Sequence, residues 1–156
     1  MLGCIATALV LPTLCLARPP TRVVVKDAWL RSPPHGHLTT LGFLTLNANE
    51  EMRLLSIKTA FAKAVSLQLM SRENDVVRMD PVESVPIKPG VPLVFKMGPG
   101  KYFMQLKQIR PGLEHVTVVP MTAVVESVET GAKQAVRFNA KVMKLPGNHS
   151  DAHGEH

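Results

Sequence analysis

The fold of this chain is restricted most by a rhythm: short runs rich in Val, Leu and Thr return every eight to twelve residues, with turn residues between them. The runs are Arg22 to Arg31, Leu41 to Asn47, Leu54 to Ala60, Val65 to Met70, Val76 to Met79, Val91 to Phe95, Tyr102 to Leu106, Val116 to Val128 and Gln134 to Lys144. Between them lie turn signals such as Lys88-Pro89-Gly90, Gly98-Pro99-Gly100 and Pro111-Gly112. β-branched residues suit a pleated surface, and Pro and Gly punctuate it. Regular short strands of this kind predict an all-β sandwich or barrel of about eight to ten strands. Trp29 is expected to anchor the core from the first strand. Pro120, which cannot donate to a ladder, is expected to mark a bulge or an edge crossing.

At 156 residues the chain is long enough for one domain. Its first seventeen residues, Met1 to Ala17, carry no charge and are apolar almost throughout, which predicts a signal peptide followed by a β domain from Arg18 to Lys144. The alternative for this segment is a short N-terminal anchor left in place. The segment holds both cysteines, Cys4 and Cys15; Cys15 raises lipidation, although Leu14 beside it is large for such a site. Cleavage would remove 17 of the 156 residues and leave 139 without a thiol. A disulfide, a cysteine nucleophile and a thiolate metal site are then excluded, so the expected periplasmic domain depends on its core. From Leu145 the apolar pattern stops, and a flexible tail is expected to His156.

The formal net charge is +6, but the basic residues are dispersed and only 4% of residues are aromatic. Both facts argue against nucleic-acid binding and leave open an attraction to anionic membrane surfaces or acidic partners. No GxSxG, HExxH or phosphate-binding glycine loop occurs, and His115, after Pro111-Gly112, reads as a solvated turn residue. The expectation is a protein that is not an enzyme.

Two features could hold metal. Met52, Met70, Met79, Met97, Met104, Met121 and Met143 are thioethers, which fill cores well but are also suited ligands for Cu(I). In the tail, His149, His153 and His156 alternate with Asp151 and Glu155, a composition suited to Cu(II), Ni(II) or Zn(II) that would be lost as the imidazoles protonate near pH 6.5. His35 and His37 could add ligands or simply belong to a polar loop.

The order of several segments resembles the periplasmic copper chaperone family PCu(A)C over roughly Val23 to Val142. The marks are Asp27-Ala28-Trp29-Leu30-Arg31 followed by Pro33-Pro34, Gly42-Phe43-Leu44-Thr45-Leu46-Asn47, Arg53-Leu54-Leu55-Ser56, Arg78-Met79-Asp80-Pro81-Val82-Glu83 and Pro99-Gly100-Lys101-Tyr102-Phe103-Met104. The resemblance implies a secreted, cupredoxin-like β-sandwich that holds one copper ion and delivers it toward the copper centre of cytochrome oxidase. Its ligand pattern is a His, ten residues, a Met, twenty-one residues, then His-x-Met. Here Gln68 stands at the first His, and Met79 matches the first Met. Aligning Tyr102-Phe103-Met104 with the last element puts Tyr102 at the second His and Met104 at the second Met, with twenty-two intervening residues. Met70 or Met97 could supply a further thioether. Three readings follow: a copper-handling protein that passes Cu(I) to a partner such as an oxidase assembly protein; a non-metal interaction module of the cell envelope; or a Zn(II) or Cu(II) buffer acting through the tail.

Overall fold

The computed structural model describes residues 20–145, and the leader and the His-rich tail lie outside them. The described residues form ten strands, β1 (Val23–Arg31), β2 (Thr39–Ala48), β3 (Met52–Lys58), β4 (Ala62–Glu73), β5 (Val76–Val82), β6 (Val85–Ile87), β7 (Leu93–Val94), β8 (Lys101–Ile109), β9 (Val118–Ser127) and β10 (Lys133–Met143), with one 3-10 turn at Leu113–His115. The all-β expectation holds. The short run Val85-Pro86-Ile87 was not expected as a strand, yet it pairs with β3 and buries both Val85 and Ile87.

The strands form a single ladder in the order β5-β4-β8-β2-β1-β10-β9-β3-β6, with β7 beside β2. The β1–β10 pair is parallel and every other pairing is antiparallel. Although β3 and β4 lie far apart along the ladder, they touch, so the sheet folds over and closes on its own inner face. That face holds one core cluster drawn from both halves, including Leu30, Leu44, Leu46, Met52, Leu54, Ile87, Met104, Leu106, Met121 and Val125. Each fully buried Leu, Met or Val contributes about 1.5–3 kcal/mol by leaving water.

The inner face follows from alternation along β2, where Gly42, Leu44, Leu46 and Ala48 are buried toward the core while Leu41 and Phe43 point outward. Glycine at 42 has a steric reason. A Cβ there would lie 2.6 Å from Leu30 Cδ2 and 2.9 Å from Met104 Cε, so its absence lets these two side chains close over the strand.

One expectation is corrected by a bulge, and of the two offered for Pro120 the pairing favours the edge and not the bulge. Trp29 is not a core anchor. In β1, Val23 and Val25 face the core, but Asp27 adopts a positive φ of 51° and the pairing with β2 shifts between Lys26 and Trp29. The extra residue reverses the alternation, so Ala28 and Leu30 turn inward and Trp29 turns out. Pro120 makes no bulge. It pairs with Asn139 in an unbroken β9–β10 register and lies past the end of β3, whose pairing stops at Lys58 opposite Thr122. It therefore sits on a locally free edge, where a missing N–H is tolerated, and Thr59 Oγ1 donates to its carbonyl at 3.0 Å.

Candidate functional site

The outer face of β5, β4, β8, β2 and β1 carries the candidate site, and strand register decides which residues share it. In an antiparallel ladder, directly opposed residues project to the same face, and a step of one residue reverses the face. Met70 on β4 is opposite Met79 on β5 and opposite Lys101 on β8. Gln68 is opposite Phe103 and Pro81. These residues lie on the outer side, where Phe103, Met70 and Phe43 form a second small cluster against Trp29 and Leu41. The rings of Trp29 and Phe43 are 4.5 Å apart.

Tyr102 and Met104 are on the other side. Met104 is opposite Leu67, has no exposed surface and belongs to the main core. Tyr102 packs against the same core, its ring 6.1 Å from that of Phe95. The structure therefore brings Gln68, Met70 and Met79 together but does not bring Tyr102 or Met104 to them. Two other residues take those places. Counting twenty-one residues on from Met79, as the chaperone pattern does, arrives at Lys101 and Phe103, both on the same face as Gln68 and Met79. Tyr102 and Met104 lie one residue beyond that count, with twenty-two residues intervening after Met79.

The chemistry of this cluster is thioether and amide with one cation. Met79 is 51% exposed on the edge strand β5, whereas Met70 beneath it is almost covered. The buried Gln68 amide is satisfied, with Nε2 donating to Ser66 Oγ at 2.9 Å. Lys101, exposed beside Met70, places a positive charge where the pattern has an imidazole. Met97 lines a hollow beside Trp29, Leu41 and Phe43, which pack in the same outer-face cluster as Met70. His149, His153 and His156 lie outside the described residues. Among the described residues, no group of three or more His, Cys, Asp or Glu is placed to hold a metal ion, and no helix is long and apolar enough to cross a membrane.

A cluster of titratable contacts lies at the loops after β1 and β8. His35 Nδ1 is 3.3 Å from Glu114 Oε1, and His115 Nε2 is 3.8 Å from the same oxygen. The Glu114 carboxyl is held below its ordinary value of 4.5, first by a backbone N–H; desolvation, the next largest effect, opposes this, and the His35 hydrogen bond and the charges of His115 and His35 add to the lowering. A carboxylate with a depressed folded-state pKa favours the fold above the unfolded value and loses that contribution as pH falls through the folded one. His35→Ala is therefore expected to raise the Glu114 pKa toward 4.5, read by a carbon-detected NMR titration between pH 6 and pH 2.5. An unchanged midpoint would show that the backbone alone sets it.

No curated protein sequence matches the chain. Among solved structures, the copper-bound PCuAC domain from PmoF2 aligns with a TM-score of 0.58 at 19% identity, covering 79% of this chain and 93% of that domain. The apo PCuAC domain from PmoF1 gives 0.58 at 18%, covering 79% and 94%, and the apo PmoF2 PCuAC domain gives 0.53 at 22%, covering 78% and 90%. At these identities the shared property is the fold, the cupredoxin-like sandwich that the resemblance implied. Residues 23–142, almost the whole described domain, match the LpqE-like family, described as "Putative lipoprotein LpqE-like". The chain belongs to the LpqE-like family.

Proposed function

We propose that this chain is a PCuAC-type copper-handling protein of the cell envelope in which Met70 and Met79, rather than a four-ligand set, contact Cu(I). The observation that carries the reading is the direct opposition of Met70 and Met79 across β4 and β5, with Met79 at the methionine position of the chaperone pattern and open to solvent. Two soft thioethers suit Cu(I), and a site with few ligands releases it readily. The mechanism is ligand exchange: a partner's sulfur or imidazole displaces one thioether at a time, with no covalent chemistry, toward an acceptor such as the copper centre of cytochrome oxidase. The apolar leader and the family's description as a lipoprotein support export to the periplasm, with Cys15 the candidate for lipid attachment. The tail histidines His149, His153 and His156 would collect Cu(II) or Zn(II) separately.

Competition of the full chain with a colorimetric Cu(I) chelator tests this, with the tail histidines replaced by Ala to isolate the domain. One weakly held Cu(I) is expected, abolished in Met70→Leu/Met79→Leu and unchanged in Met104→Leu. A chelator that keeps all the copper would remove the reading. A specific observation favours the second one, a non-metal interaction module: Lys101 and Phe103 occupy the places of an imidazole and a thioether. Under that reading the purified protein is metal-free, and the two Met→Leu changes alter only packing.

A further inference from the structure

The Asp27 bulge has a consequence beyond the methionine pair. By turning Trp29 outward it makes the indole a ridge between two hollows on the outer face. One hollow is lined by Asp27, Asn139, Lys141 and Met143, with charges of both signs and a polar amide. The other, of about 300 Å³, has a different chemistry. Its floor and walls are Leu41, Phe43, Phe95, Met97, Leu145 and Trp29 itself, joined among the described residues by Arg31 and Lys96. Among the described residues, no carboxylate and no neutral polar side chain lines it. Met97 and Leu145 leave 45% and 47% of their surface in water, and Arg31 and Lys96 are exposed beside them.

We infer that this hollow binds the end of a single-chain anionic amphiphile, a fatty-acyl carboxylate. An apolar concavity with a half-buried indole and exposed Met97 and Leu145 in its walls favours an aliphatic chain, because each buried methylene leaves water. Charge complementarity fixes the other end. Two cations, with no acid among the described lining residues, select a negative group, and a guanidinium can hold a carboxylate through two parallel hydrogen bonds. The volume lies at the lower limit of small-molecule sites, about 300–1,000 Å³, which suits one chain and not a two-chain lipid. The overall charge of +6 adds long-range attraction for an anion. Neither methionine of the pair lines this hollow, although Trp29, Leu41 and Phe43 in its wall pack in one cluster with Met70, and the binding does not depend on copper.

Trp29 is the sole tryptophan, so intrinsic fluorescence of the full chain reports directly on the hollow. The probes are decanoate, decanol and decyltrimethylammonium, each kept below its aggregation concentration. Decanoate is expected to give a saturable blue shift and to bind at least about 10-fold more tightly than the cationic probe. The NMR methyl signal of Met97, and not that of Met143 across the ridge, should move with it. Arg31→Glu/Lys96→Glu, both at exposed positions, should weaken decanoate by about 10-fold or more and leave decanol unchanged. Equal binding of all three probes would overturn the inference, as would movement of Met143 in place of Met97. A response to anionic vesicles without one to monomeric decanoate would also overturn it, and would make the face a bilayer contact.

Discussion

The triple variant Gln68→His/Lys101→His/Phe103→Met is expected to bind Cu(I) at least about 100-fold more tightly than the natural chain. Disturbing even a residue that only orients a metal ligand costs about 10–100-fold in affinity, and this variant adds two imidazoles and a thioether as ligands. Their placement is fixed by the ladder: position 68 is opposite 103, position 101 is opposite 70, and 70 is opposite Met79. The substitutions should be tolerated. Lys101 is exposed, and although Phe103 is only 1% exposed, Met is a flexible apolar replacement that costs on the order of 1 kcal/mol. Tyr102→His is the informative control. It would complete His-x-Met with Met104 in the sequence, but both side chains face the main core, so no gain is expected. Chelator competition on the three proteins measures this directly. A gain from Tyr102→His alone, or none from the triple variant, would mean that the outer-face site is misidentified.

That contrast shows where the sequence was readable and where it was not. Strand existence was legible because alternation and Pro-Gly turns are local signals, as in Val65 to Met70 and Tyr102 to Leu106. Face assignment was less so, because it is set by pairing between distant strands and by single inserted residues. Val23, Val25 and Trp29 share one alternating series on paper, and only the positive φ of Asp27 breaks it. A candidate ligand set of Gln68, Met79, Tyr102 and Met104 likewise looks coherent as spacing, yet a shift of one residue divides it between two faces of the sheet. The strand β6 was missed for another reason: three residues with a central Pro give no periodic signal, and Val85 and Ile87 are ordered by the core they help to fill. What the sequence could supply was the family pattern itself, whose strict count already pointed to Lys101 and Phe103.

Met104→Ala is expected to destabilise the domain by about 2–5 kcal/mol, whereas Met79→Ala should change stability by no more than about 0.5 kcal/mol. The two thioethers look equivalent in a ligand alignment and differ entirely in packing. Met104 is fully buried in the main core, and its Cε and Cγ lie 2.9 Å and 3.0 Å from where a Cβ of residue 42 would be, so they occupy the room that Gly42 leaves. Removing the side chain loses its own transfer energy and opens a cavity between Gly42, Leu30 and Leu106 that β2 and β8, pinned by ladder bonds, cannot close. Met79 projects from an edge strand on which Val76 to Pro81 are all exposed, so its loss opens no cavity. Urea denaturation separates the cases. With an m-value near the middle of the usual range, about 2 kcal/mol/M, Met104→Ala should lower the midpoint by roughly 1–2.5 M and Met79→Ala should barely move it. The copper measurement should rank them in reverse, with binding lost in Met79→Ala and kept in Met104→Leu, a substitution that preserves core volume. Equal stability losses in the two alanine variants would contradict the register that places these methionines on opposite faces of the sheet.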